Sequence, residues 1–152
     1  RRWQVLEDTP EVTAKLARDG AAAAASDDPA LTWRSMYTQV DGTLSFEGLP
    51  QVFVPGIERR YYLAVDVDVS AGGPLEFQFG GQGDRKALVG TEPKLWFDGQ
   101  AIDYSERISV TASPGVHRLL IVVPARRTPK PVRLTMPETD GGTAQAQFIG
   151  GK

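Results

Sequence analysis

A chain of 152 residues, 41% apolar and 24% charged, has the composition of an ordinary globular protein and is long enough for one domain with its own hydrophobic core. A formal net charge of −2 gives no global pull toward nucleic acid or acidic membrane surfaces, so neither is an expected partner. The lack of cysteine excludes disulfides, zinc–thiolate sites, c-type haem attachment and thiol catalysis within the chain.

No apolar run is long enough for a transmembrane helix. The small basic clusters, Arg59-Arg60 and Arg126-Arg127 with Lys130, read as solvated turns rather than phosphate sites. The chain opens on Arg1-Arg2-Trp3, with neither a starting Met nor a secretory apolar stretch. It is therefore expected to be a segment of a longer protein.

Trp3–Leu6 is a short apolar opening without an assigned structure. Thr9-Pro10-Glu11 predicts a helix start: Thr as N-cap, Pro at the first helical position, and Glu near the positive end of the dipole. Val12 and Leu16 share a face, and Gly20 can end the helix. Ala21–Pro29 reads as a linker or a fraying helix end. Residues 1–30 are thus expected to form an N-terminal appendage, and residues 31–152 the main domain.

From Leu31 the period changes to two. Trp33, Ser35, Tyr37 and Gln39 alternate with Arg34, Met36, Thr38 and Val40, and Asp41-Gly42 signals a hairpin returning through Thr43–Phe46. Val52-Phe53-Val54 is a short apolar run closed by Pro55-Gly56. In Tyr61–Val69 one face carries Tyr61, Leu63, Val65, Val67 and Val69, and the other Tyr62, Ala64, Asp66 and Asp68. That pattern predicts an antiparallel strand with one dry and one wet face. Ala71-Gly72-Gly73-Pro74 turns it into Leu75–Phe79. Gly80–Asp84 is Gly-rich, but a phosphate cradle should lead into a helix. Ala87–Gly90 is too short for one, so the loop reads as a flexible strand connection.

Lys94–Val123 is the most informative stretch. Asp98-Gly99, between Leu95-Trp96-Phe97 and Ala101-Ile102, fits a type I′ hairpin turn that requires positive φ. Ser113-Pro114-Gly115 makes the next reversal, into a long apolar strand. Val132–Met136 and Ala144–Ile149 complete the set, with Thr139–Gly142 between them. Nine or so short strands without intervening helices predict an all-β antiparallel sandwich with a short N-terminal helix.

LWFDGQAI followed by SVTASPGVHRLLIVV resembles the galactose-binding-like jelly-roll sandwiches, including PA14-related and other carbohydrate-binding modules. Trp96, Phe97, Asp98, Gly99, Gly115, His117, Leu119 and Ile121 carry the likeness. It covers Thr32–Ile149, although only Leu95–Val123 is distinctive. The segment from Arg133 to Lys152 is similar to the end of large extracytoplasmic bacterial proteins that carry a c-type haem domain elsewhere. The resemblance implies a jelly-roll topology and a non-catalytic, extracytoplasmic accessory module that binds carbohydrate. The alternative is a module that orients a neighbouring domain and binds no glycan.

A sugar site needs a flat ring for the C–H face and planar polar groups for the hydroxyls. If Leu95 and Phe97 face the core, Trp96 faces outward. Tyr104 and Tyr62 are the other candidate rings, with Gln100, Asp103 and Arg107 as polar partners. The competing expectation places Trp96 beneath the N-terminal helix, covered by Val12 and Leu16.

His117 is the sole histidine, and no nucleophile and carboxylate stand out to complete a triad with it; in the family resembled it closes the turn and packs the strand. An enzyme is therefore not expected. Asp66 and Asp68, with Glu76 on a neighbouring strand, are paired carboxylates that suit hydrolysis or calcium but usually form a solvated face. No cofactor is expected beyond a structural calcium ion, which the resemblance allows. Gly80–Asp84 and Asp140–Gly142 are looser calcium candidates.

Overall fold

A computed structural model describes residues 1–7, 9–26, 28–49, 55–57, 60–80, 93–105, 107–124, 131–137 and 145–149. Val52-Phe53-Val54, Arg59, Gly81–Asp84, Ala87–Gly90, Arg126-Arg127, Lys130, Thr139–Gly142, Ala144 and Gly150–Lys152 lie outside the described residues.

In chain order the elements begin with β1 (Arg2–Leu6), helix α1 (Pro10–Asp19), a 3₁₀ segment (Ala21–Ala25), β2 (Trp33–Tyr37), β3 (Thr43–Leu44), β4 (Arg60–Ala71) and β5 (Gly73–Gly80). They continue with β6 (Lys94–Phe97), β7 (Gln100–Ile102), β8 (Arg107–Ala112), β9 (Gly115–Pro124), β10 (Val132–Thr135) and β11 (Gln145–Phe148). The larger sheet runs β2-β1-β4-β9-β6-β7, with β11 also paired to β4, and the smaller runs β3-β10-β5-β8. Every recorded pairing is antiparallel. The protein is a two-sheet antiparallel β-sandwich with one short helix, as the strand periodicity predicts.

The strand with the cleanest alternation is the axis of the larger sheet. β4 pairs with β9 from Arg60↔Pro124 to Val69↔Gly115. On its other edge it takes β1 at Ala64 and Leu63, then β11 from Val67 to Ala71. Tyr61, Leu63, Val65, Val67 and Val69 all point into the core between the sheets. There they meet Trp3 and Val5 from β1, Phe77 from β5, Ile108 from β8 and Leu134 from β10. Each fully buried aliphatic side chain contributes about 1.5–3 kcal/mol relative to its exposed state.

A second apolar layer covers the opposite face of the larger sheet. Leu16 of α1, Ala24 of the 3₁₀ segment and Leu31 pack on Leu6, Ala64, Trp96, Leu120 and Val122. The face of β4 expected to be wet is therefore dry over its first half and polar only at Asp66 and Asp68. The helix forms where Thr9 predicts it. Thr9 Oγ1 accepts the Val12 N–H at 3.2 Å, and the Gly20 N–H closes the far end on the Leu16 carbonyl. Thr9→Ala removes this side-chain cap and is expected to lower stability by about 1 kcal/mol. Urea denaturation of the two proteins measures the difference.

Two sequence expectations need correction. The segment grouped with an N-terminal appendage contains β1, which lies between β2 and β4 inside the larger sheet. Asp41-Gly42 also does not join a paired hairpin, because β2 belongs to the larger sheet and β3 to the smaller. The turn itself is real: Asp41 Oδ1 accepts from the Thr43 N–H at 2.9 Å, and the Gly42 N–H donates to the Gln39 carbonyl. The β4–β5 and β8–β9 connections likewise cross between sheets. Turn chemistry specifies a reversal of direction; it does not specify which sheet receives the next strand.

Candidate functional site

The β6–β7 hairpin is the two-residue turn its sequence requires. Asp98 has φ +49° and Gly99 φ +78°, so both central residues occupy the positive-φ region. Phe97 pairs with Gln100 and Leu95 with Ile102. Leu95 and Phe97 enter the inter-sheet core, so Trp96 points to the opposite face, as alternation predicts.

That face is not solvent at this point. Trp96 is only 9% exposed and is packed among Leu16, Leu120 and Val122, with Val12 against the same cluster. The expectation of an outward sugar platform at Trp96 is corrected accordingly: the ring lies in the apolar layer shared with the N-terminal helical segments and Leu31. Tyr62 is half-buried against the same layer. Tyr104 packs instead on the inter-sheet core, on the other side of the sheet. Gln100, Asp103 and Arg107 are exposed. The three candidate rings are thus split between two layers and form no common surface.

The carboxylates also separate. Asp66 takes Arg118 in a two-point pair, Nε to Oδ1 at 2.8 Å and Nη2 to Oδ2 at 3.3 Å. Asp68 accepts from Gln147 Nε2 at 3.4 Å. Glu76 lies on β5 in the other sheet, opposite Ser109, so it does not join them. Among the described residues no three His, Asp or Glu side chains gather as metal ligands.

What the fold does assemble is a cluster around His117. Gly115, at φ +135°, starts β9, and His117 sits opposite Val67 of β4 with its side chain 11% exposed. Its Nδ1 lies 2.6 Å from Asp98 Oδ2, and its Nε2 lies 2.7 Å from the Ser113 carbonyl oxygen. Asp98 Oδ1 accepts the Arg118 N–H at 2.9 Å, while the Asp98 N–H donates to the Arg118 carbonyl at the same distance. The imidazole stacks on Phe97, with centroids 5.3 Å apart and planes 14° from parallel. The Asp98 hydrogen bond, then the Ser113 carbonyl, raises the His117 pKa above its ordinary value, against a smaller opposing effect of desolvation.

Beside this cluster lies a shallow cleft of about 390 Å³ lined by Asp66, Asp98, Gly99, His117 and Arg118, with Ala25 and Val116 completing it. The residues are polar and charged, but each charged side chain is already engaged by a neighbour. With oxygen acceptors at both ring nitrogens, His117 has no nitrogen left to accept a substrate proton. The arrangement joins chain segments. Asp98 and His117 were each visible in the sequence, one as a turn residue and one as a strand residue; their contact depends on β6 pairing with β9, which no local signal encodes.

The sequence matches no protein-family model, and no curated protein and no solved structure is significantly similar to it.

Proposed function

We propose that the chain is a non-catalytic accessory module of a larger extracytoplasmic bacterial protein, whose role is to orient or join a neighbouring domain. The observation that carries this reading is the burial of Trp96 in the layer shared with the N-terminal helical segments. The ring best suited to stack on a sugar is committed to the module's own packing. The engagement of Asp66, Asp98 and Arg118 with partners inside the chain points the same way. The galactose-binding-like, jelly-roll character and the extracytoplasmic bacterial setting rest on the resemblance of Leu95–Val123, and many sandwiches of that kind bind no sugar.

A glycan array on the folded chain, with and without calcium, tests the reading alongside amide exchange of the same residues within the longer parent protein. The expected result is a blank array and a face of the sandwich protected only in the parent. A glycan hit that shifts tryptophan emission overturns it in favour of a lectin-like module. Calcium dependence of such a hit locates a structural or bridging ion.

A further inference from the structure

We infer that His117 is held as an imidazolium and that this charge clasps the β6–β7 and β8–β9 turns together, so that loss of the proton loosens one end of the sandwich. The argument is one of donors and acceptors. A carboxylate oxygen of Asp98 faces Nδ1 and a peptide carbonyl faces Nε2, at 2.6 and 2.7 Å. Neither an ionised carboxylate nor a carbonyl donates a hydrogen. A neutral imidazole has one N–H, so its second nitrogen would present a lone pair to an oxygen at hydrogen-bond distance. Only the imidazolium satisfies both contacts, and the proton between Oδ2 and Nδ1 stays on the nitrogen because imidazole is the stronger base.

Among the described residues, the charged side chains that share the cleft with His117 and Asp98 are Asp66 and Arg118, which are paired with each other. From β6 comes the Phe97 ring, and from β4 comes Val67. On β4, Asp66 and Asp68 alternate with Val67, and Arg118 and Gln147 engage them, so at the cleft Asp66 stands as one half of an ion pair. Phe148 of β11 pairs with Val67, and the Arg1 guanidinium lies over its ring, 4.5 Å from the centroid. Asp98 is the counter-ion, and its second oxygen is held by the Arg118 N–H.

The clasp reaches a third connection. A Cβ on Gly72, in the β4–β5 crossing, would lie 3.0 Å from both the Ala112 carbonyl oxygen and the Pro114 ring, so this crossing packs directly on the β8–β9 turn. Freeing Ser113 therefore loosens two sheet crossings as well as the hairpin. The folded state binds the His117 proton more tightly than the unfolded chain does. The clasp's contribution is thus complete below the unfolded-state pKa and is lost as pH rises through the higher folded-state pKa. The device is closed in acid and open in alkali.

The test is ¹⁵N-detected NMR of the imidazole in the whole chain across pH, with amide exchange at Asp98 and Arg118 corrected for intrinsic rates. Both ring nitrogens are expected to carry hydrogen at a pH where an unfolded-chain histidine is mostly neutral. Amide protection is expected to fall roughly tenfold as His117 deprotonates, the equivalent of one hydrogen bond to a charged group. Asp98→Asn keeps an oxygen for the Arg118 N–H and tolerates the positive φ, so it isolates the charge; it should move the His117 midpoint down. His117→Gln should abolish the pH dependence of protection. A single N–H on His117 at that pH, a midpoint unmoved by Asp98→Asn, or pH dependence surviving in His117→Gln would each overturn the clasp. None of these outcomes depends on what the module binds.

Discussion

Replacing Trp96 with alanine lowers the unfolding free energy by about 3–5 kcal/mol, the range for truncating a large aromatic ring in a packed interior. The loss comes from removing a large ring from the layer that also holds Leu16, Leu120 and Val122. Chemical denaturation followed by circular dichroism reads it directly. A ring serving as an exposed binding platform would behave differently, since surface substitutions away from packing features usually fall within about 0.5 kcal/mol. The experiment therefore separates the two roles without any ligand. A fully stable Trp96→Ala protein would show that this layer does not depend on the ring and would reopen the sugar-platform reading.

A chain beginning at residue 31 is expected to fail to fold cooperatively. β1 supplies Trp3 and Val5 to the inter-sheet core and Leu6 to the layer under the helix. It also joins β2 to β4 through the register Arg2↔Tyr37 to Leu6↔Trp33 on one edge and Gln4↔Ala64 on the other. Removing it takes one aromatic and one aliphatic side chain from the inter-sheet core and leaves β2 without the strand it pairs with. The second effect is a loss of backbone pairing, which side-chain truncation alone does not mimic. Thermal unfolding of residues 31–152 beside the full chain decides the matter. A sharp transition at an unchanged midpoint would establish that the sandwich begins at residue 31 after all.

Legibility in the sequence followed the range of the interaction. β4, β5 and the β6–β7 hairpin were readable because alternation and turn residues act within a few positions: Tyr61 to Val69 are all in phase, and Asp98-Gly99 carries its own φ requirement. β1 was not readable, because five residues give too short a period and its partners lie some thirty and sixty positions away. Trp96 shows a subtler limit. Alternation assigned its face correctly, but whether that face is wet depends on a helix some eighty residues earlier in the chain. Val12 and Leu16 announced an apolar stripe on that helix without saying what it covers. The His117 cluster combines both limits, since its Asp98 contact needs the β6–β9 register and its Ser113 contact needs the β8–β9 crossing.

The position of β4 at the centre of the larger sheet has a consequence during synthesis. Its long partner, β9, follows it by roughly fifty residues, which at about 5–20 residues per second separates the two by roughly 3–10 s on the ribosome. β11, which takes the other edge of β4, is made later still. Through that interval the nascent chain displays Tyr61, Leu63, Val65, Val67 and Val69 as a continuous sticky stripe with one edge open. β1 is already available to shield part of the opposite edge, at Leu63 and Ala64. The early-made strand thus acts as a provisional guard for the strand on which the rest of the sandwich is later assembled.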